Sequence, residues 1–218
     1  MGQKHKPANP AIVGIVDSLQ ARRRAGRLGK GDLDVLEWRA DCLPGVSALP
    51  ASALPWILTV RHPREGGAGN LADPARGKLF LRLLPGAAYL DVELRSFRVM
   101  RHVLEAAKGV RIIASFHDFQ KTPGAAALRD LACRAADSGA DILKVATRAT
   151  DPRDIGRLLE IFSVSSLPVA VMGMGPLGFS SRLLFAASGS VLNYGWLHRP
   201  NVPGQWPALE LKAMLARR

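Results

Sequence analysis

The chain has 218 residues, 48% of them hydrophobic, enough to bury one sizeable core and to exclude a disordered segment. A net charge of +12 favours non-specific attraction to polyanions, but only Arg22-Arg23-Arg24 forms a basic run, and no helix-turn-helix, zinc-finger spacing or aromatic-rich RNA-binding strand accompanies it, which disfavours a specific nucleic-acid function. Cys42 and Cys133 stand far apart without a metal-ligand spacing, arguing for free thiols in a reducing compartment and against a zinc site.

From the start of the chain, the first ten residues are polar and proline-punctuated with no apolar run behind them, and Lys6 stands where a myristoylation signal needs a small hydroxyl. No stretch reaches the length of a membrane span, so a cytoplasmic protein is expected. Short β-branched runs follow at residues 12–16, 35–39, 57–61, 89–93, 111–117, 142–146, 169–172 and 191–194. Helix-compatible segments separate most of them, among them 18–27, 125–138, 153–162, 180–187 and 208–217. The segment 41–56 carries Pro44, Pro50 and Pro55, so its helix is expected to be a single turn or missing. Eight strands alternating with helices predict a single (β/α)8 TIM barrel over residues 1–218, with a shortened or missing second helix. An open doubly wound sheet is the alternative, but no glycine-rich nucleotide fingerprint follows the first strand.

A barrel of this kind collects its chemistry at the C-terminal ends of the strands, and the charged residues obey that rule. Glu37 and Arg39 alternate at the end of the second run, and Arg61 ends the third, with Glu65 just after it. Asp91 and Glu93 end the fourth, His117 ends the fifth, and Arg182 follows the seventh. Lys144 is a lone cation in the apolar run Ile142-Leu143-Lys144-Val145-Ala146. Burial there disfavours the ammonium form, which makes the amine a Schiff-base nucleophile; a lysine paired with a carboxylate in a structural role is the competing reading. One structural salt bridge would be ordinary, but charges from six strands converging on one face are not.

The residues also resemble the type I 3-dehydroquinate dehydratases. The resemblance rests on Leu36-Glu37-Trp38-Arg39-Ala40-Asp41, Thr59-Val60-Arg61 with Glu65-Gly66-Gly67, Asp91-Val92-Glu93, Ser115-Phe116-His117-Asp118-Phe119, Lys144, the stretch from Met172-Gly173-Met174 to Ser181-Arg182, and Pro203-Gly204-Gln205. It implies metal- and cofactor-free dehydration of 3-dehydroquinate to 3-dehydroshikimate in the shikimate pathway, through an imine at Lys144. His117 would shuttle protons, Glu65 would orient it or assist the leaving water, and Asp91 would position the lysine and histidine. Arg182 and Gln205 would hold the substrate carboxylate, while Glu37, Arg39 and Arg61 would engage the ring hydroxyls. Glu93 would be structural, Asp118 would cap its loop, and residues 196–206 would form a lid. The resemblance also implies a homodimer.

Two positions depart from the family pattern. Asn201 stands in the lid where a serine is usual, leaving an amide to meet the substrate, and Gly173 replaces a common serine. The rival functions are a class I aldolase-like Schiff-base lyase and a non-catalytic relative that binds a carboxylate or polyanion. A binding protein would need neither Lys144 nor His117.

Overall fold

The computed structural model describes residues 10–43 and 45–216; the N-terminal segment read above, Pro44 and the last two residues lie outside it. The first half runs β1 (Ala11–Val16), α1 (Leu19–Ala25), β2 (Val35–Arg39), β3 (Trp56–Thr59), α2 (Asp73–Leu83), β4 (Ala87–Glu93) and α3 (Arg101–Ala106). The second runs β5 (Arg111–Asp118), α4 (Ala125–Asp137), β6 (Ile142–Arg148), α5 (Pro152–Val164), β7 (Val169–Met174), α6 (Gly178–Ala187), β8 (Leu192–Trp196) and α7 (Ala208–Ala216). All seven laddered pairs are parallel, in the order β7-β6-β5-β4-β3-β2-β1-β8. Between β7 and β8, Val191 N–H donates to Val169 O at 2.9 Å and Val171 N–H to Ser190 Oγ at 3.1 Å. A serine side chain thus stands in for part of the last ladder, and the (β/α)8 barrel is nearly closed.

No helix joins β2 to β3 among the described residues, in line with the proline-rich sequence there. The connection packs instead through buried Leu54 and a bond from Trp56 Nε1 to Pro50 O at 2.9 Å. The third run corrects the sequence reading in one respect. β3 ends at Thr59, so Arg61 lies two residues beyond the strand. Its backbone N–H donates to Asp41 Oδ1 at 3.2 Å, so a side chain captures the amide that a longer ladder would have used.

Side chains alternate in and out along each strand, which divides the core into an inner and an outer layer. Val13, Ile15, Val35, Ile57, Ile113, Ile142, Ala170 and Leu192 fill the barrel interior. Outside it, Leu128, Leu131 and Ala135 of α4 and Leu158 and Ile161 of α5 pack on Leu143, Val145, Val169 and Val171. Each buried leucine contributes roughly 1.5–3 kcal/mol, and Leu158→Ala would cost about 2–5 kcal/mol once its cavity is included. The entry to α5 is encoded in Asp151-Pro152-Arg153-Asp154. The Asp151 side chain accepts from Arg153 N–H at 2.8 Å, Asp154 reaches back to Asp151 N–H at 3.1 Å, and Pro152 fills the first turn, where no amide is needed.

Candidate active site

Lys144 sits on β6 between inward-facing Ile142 and Ala146, and the period of two turns its side chain into the barrel. It is 4% exposed. Its Nζ donates to Asp91 Oδ2 at 2.8 Å, lies 3.4 Å from Glu37 Oε1, and stands 4.0 Å from the centroid of the Tyr194 ring. The lysine is therefore paired, as the structural reading required, and also opens onto a cavity, as the catalytic reading required. That cavity, of about 380 Å³, lies at the C-terminal end of the barrel. Glu37, Arg39, Arg61, Glu65, His117, Arg182, Asn201 and Gln205 line it together with Lys144. Asp91 does not reach the wall; it lies wholly buried beneath the lysine.

Asp91 is held from three sides. Arg61 Nη1 and Nη2 donate to its two oxygens at 3.0 Å each, and Ser115 Oγ donates at 2.6 Å. Burial works against its charge, but Arg61 and Lys144 outweigh burial and keep the carboxyl well below the usual carboxylate range. Arg61 is thereby committed to Asp91, Glu93 and Ser115, with few donors left for a ring hydroxyl. Arg39 forms a fork onto Asp41, with Nε and Nη2 at 2.9 and 2.7 Å, which fixes its plane at the cavity edge.

His117 is the last residue but one of β5, and Glu65 meets it from a single 3-10 turn, Pro63–Glu65. Glu65 Oε2 takes the His117 backbone N–H at 2.9 Å and lies 3.0 Å from ring Nδ1. Two glycines let this turn come so close. Gly66 adopts φ +83°, and a Cβ at Gly67 would stand 2.2 Å from Arg61 O. Burial, then the charges of Arg61 and Lys144, push the imidazole well below 6.5. Burial and the neighbouring Glu93 raise the Glu65 carboxyl to about 7. Their contact is thus a hydrogen bond from a neutral ring rather than an ion pair. With Nδ1–H directed at Glu65, Nε2 keeps its lone pair as a proton acceptor.

Arg182, on α6, is 3% exposed and forms no ion pair among the described residues. Nη1 donates to Tyr194 O at 3.0 Å, Nε has no partner among the described residues, and burial lowers the guanidinium to about 10, still cationic at neutral pH. A buried, unpaired charge is costly unless an anion completes it. Across the cavity mouth, Gln205 Oε1 accepts Asn201 N–H at 2.9 Å, and the Asn201 amide bonds to Asp17 at the end of β1. Trp206 Nε1 donates to Phe179 O at 2.9 Å and its ring meets Phe179 edge-on, which anchors the end of this segment to α6, while Asn201, Val202 and Gln205 line the cavity. Asp118 caps its loop as expected, accepting from Gln120 and Lys121 N–H at 2.8 and 3.0 Å.

Comparison with known proteins agrees with this geometry. A sequence model described as type I 3-dehydroquinase matches residues 12–218. The chain belongs to that family. It is 37% identical over 204 residues to the 3-dehydroquinate dehydratase of Methanocella arvoryzae, covering 90% of this chain and 91% of that protein. It is 33% identical to the enzyme of the same name from Pyrococcus abyssi, covering 94% and 96%. The crystal structure of the Aquifex aeolicus 3-dehydroquinate dehydratase superposes with a TM-score of 0.81 at 29% identity, over 95% of this chain and 97% of that one. Membership of the type I 3-dehydroquinase family makes the chain a hydro-lyase with a place in the shikimate pathway.

The structure brings Glu37, Arg39, Arg61, Glu65, His117, Lys144, Arg182, Asn201 and Gln205 to one cavity, leaves Asp91 and Glu93 buried behind it and Asp118 in its own loop, and adds three residues to which the sequence reading gave no part. Tyr194 forms the floor beneath Lys144, and its inward position on β8, two residues after Leu192, was the available signal. Ser115, two residues before His117 on the same inward face, braces Arg61 and Asp91. Arg76 is fully buried on α2, and its spacing to Phe80 and Leu83 marks the buried face of that helix. None of the family motifs includes it, because it lies on a helix outside the barrel.

Proposed function

We propose that this type I 3-dehydroquinase converts 3-dehydroquinate to 3-dehydroshikimate through an imine on Lys144. The observation that carries this reading is the pairing, in one cavity, of a buried lysine amine with the buried guanidinium of Arg182, which pairs with no carboxylate among the described residues. A substrate with both a ketone and a carboxylate satisfies the two ends at once. Nζ attacks the carbonyl carbon and water leaves, giving an iminium that serves as an electron sink. A proton is then lost from the adjacent carbon, the enamine forms, and the β-hydroxyl departs as water after protonation. Hydrolysis of the remaining iminium releases product and restores Lys144.

His117 Nε2 is the proton acceptor and donor for these steps, with the ring held by Glu65. Asp91 orients the lysine amine from below. Arg182 and Gln205 bind the carboxylate, Glu37 and Arg39 meet ring hydroxyls, and Arg61 contributes from its place beside Asp91. Asn201 and the rest of the lid exclude water. Cys42 and Cys133 are free thiols, and no described helix is long and apolar enough to cross a membrane, which supports a cytoplasmic location. A homodimer is part of the same proposal, and sedimentation equilibrium tests it.

The deciding experiment is intact-mass analysis after incubation with 3-dehydroquinate and borohydride, followed by peptide mapping. A reduced adduct on Lys144, lost together with turnover in a folded Lys144→Ala variant, is the expected result. An active Lys144→Ala protein would refute the mechanism.

A further inference from the structure

We propose that Arg76 is a positioning residue for Lys144, acting through Glu93, Arg61 and Asp91; the inference rests on the imine reading above. Arg76 touches neither the cavity nor Lys144, and its side chain is fully buried between α2 and the barrel wall. Its Nη2 donates to Glu93 Oε2, and Nε and Nη2 donate to Val60 O at 3.1 and 2.9 Å. The other oxygen, Glu93 Oε1, accepts from His62 N–H at 2.9 Å and from Arg61 Nη1 at 3.0 Å. Arg61 then holds Asp91, and Asp91 Oδ2 holds the lysine amine at 2.8 Å. The result is an unbroken alternation of charge from an outer helix to the reacting nitrogen.

The alternation has a consequence for the reaction. With Glu37, the buried cluster holds three carboxylates against the cations Lys144, Arg61 and Arg76. Removing Arg76 leaves Glu93 with Arg61 as its one partner cation among the described residues, and in a weakly screened interior Arg61 is drawn towards it. Asp91 then loses part of its Arg61 contact and holds the Lys144 nitrogen more tightly, which hinders its attack on the carbonyl. Carboxylate binding by Arg182 and Gln205 lies on other elements and is untouched. The effect therefore falls on kcat and not on KM.

A double-mutant cycle separates this role from simple support of the fold. Glu93→Gln keeps an oxygen for His62 N–H and Arg61 but turns an NH2 group against Arg76, whereas Arg76→Met removes the charge and keeps the apolar stem. Arg76→Met is expected to lower kcat about tenfold or more, with KM within about twofold, and to slow formation of the borohydride-trapped adduct in proportion, whereas Glu93→Gln, which leaves Arg61 to Asp91 but strands the Arg76 charge, is expected to lower it less. The double variant, with balanced charge restored, is expected to regain most of that loss. If Arg76→Met fails to fold, Glu93→Gln and the double variant still make the comparison. A double variant that is unfolded, or no faster than the slower single variant, overturns the proposal, as does a change in KM with kcat intact. A wild-type enzyme that turns over substrate without giving an adduct would defeat the imine reading instead, and coupling in kcat would still decide the role of Arg76.

Discussion

A single oxygen of Glu65 fixes His117 twice, lying 2.9 Å from its backbone nitrogen and 3.0 Å from ring Nδ1. The strand end and the ring are thus oriented by one carboxylate, which reaches them from a turn 52 residues earlier in the chain. Because the carboxyl is raised to about 7 by burial and by Glu93, while the ring is depressed by burial and nearby cations, the pair is a sensitive place to test the site's electrostatics.

Glu65→Gln should change how stability depends on pH. Protonation of Glu65 is favoured on folding, since its carboxyl rises from 4.5 to about 7. Its contribution is therefore fully present below pH 4.5 and is lost as pH rises through 7. Denaturant titrations of both proteins should show the variant gaining about 3 kcal/mol relative to wild type between pH 4.5 and pH 8. A difference that does not vary with pH would contradict the burial of this carboxyl.

His117 should be a neutral ring with its proton on Nδ1 throughout the neutral range. Burial and the charges of Arg61 and Lys144 both oppose the imidazolium form. Nitrogen-15 NMR of labelled histidine should show a protonated Nδ1 and a bare Nε2 at pH 6.5 in the ligand-free enzyme. A doubly protonated ring at that pH would remove Nε2 as the proton acceptor. His117→Ala should lower kcat by on the order of 10²–10⁴.

Arg182→Met should move stability and binding in opposite directions. The guanidinium is buried without a counter-ion among the described residues, so its loss relieves a desolvation penalty. Melting in the absence of ligand should show a variant at least as stable as wild type. The KM for 3-dehydroquinate should rise about thirtyfold or more, matching a loss of about 2–5 kcal/mol for one half of a buried charged pair. A destabilised variant with normal KM would assign Arg182 to the fold instead.

Gly173 should resist the serine common in the family. A Cβ at this position would stand 2.3 Å from Ser181 Oγ and 3.0 Å from Ser181 Cβ, directly before Arg182 in the chain. Gly173→Ser is expected to cost about 1–3 kcal/mol by overpacking, read as a lower Tm, and Ser181→Ala in the same chain should recover part of it. Additive losses in the double variant would show that the two sites do not collide.

Much of this molecule is legible in the sequence, because a repeat of two residues decides which face of a strand a side chain occupies. Ile142, Lys144 and Ala146 share one inward face for that reason, as do Asp91 with Glu93 and Ser115 with His117, and the alternation of strands with helices dictates a parallel barrel whose charged ends converge. The prolines between β2 and β3 likewise announced the absent helix. What periodicity does not contain is the partner of each charge. Arg61 lines the cavity just beyond its strand, and its guanidinium also turns to Asp91 and Glu93, 30 and 32 residues away. Arg76 enters the same network from a helix, and the Tyr194 ring comes under Lys144 from the far side of the barrel. Such pairings depend on the stagger of neighbouring strands and the path of the loops, which bring distant residues within about 3 Å, the range in which a hydrogen bond forms. The sequence by itself determined which residues face the cavity; only the tertiary structure decided which of them hold one another, leaving Arg182 as the buried cation for an anion to complete.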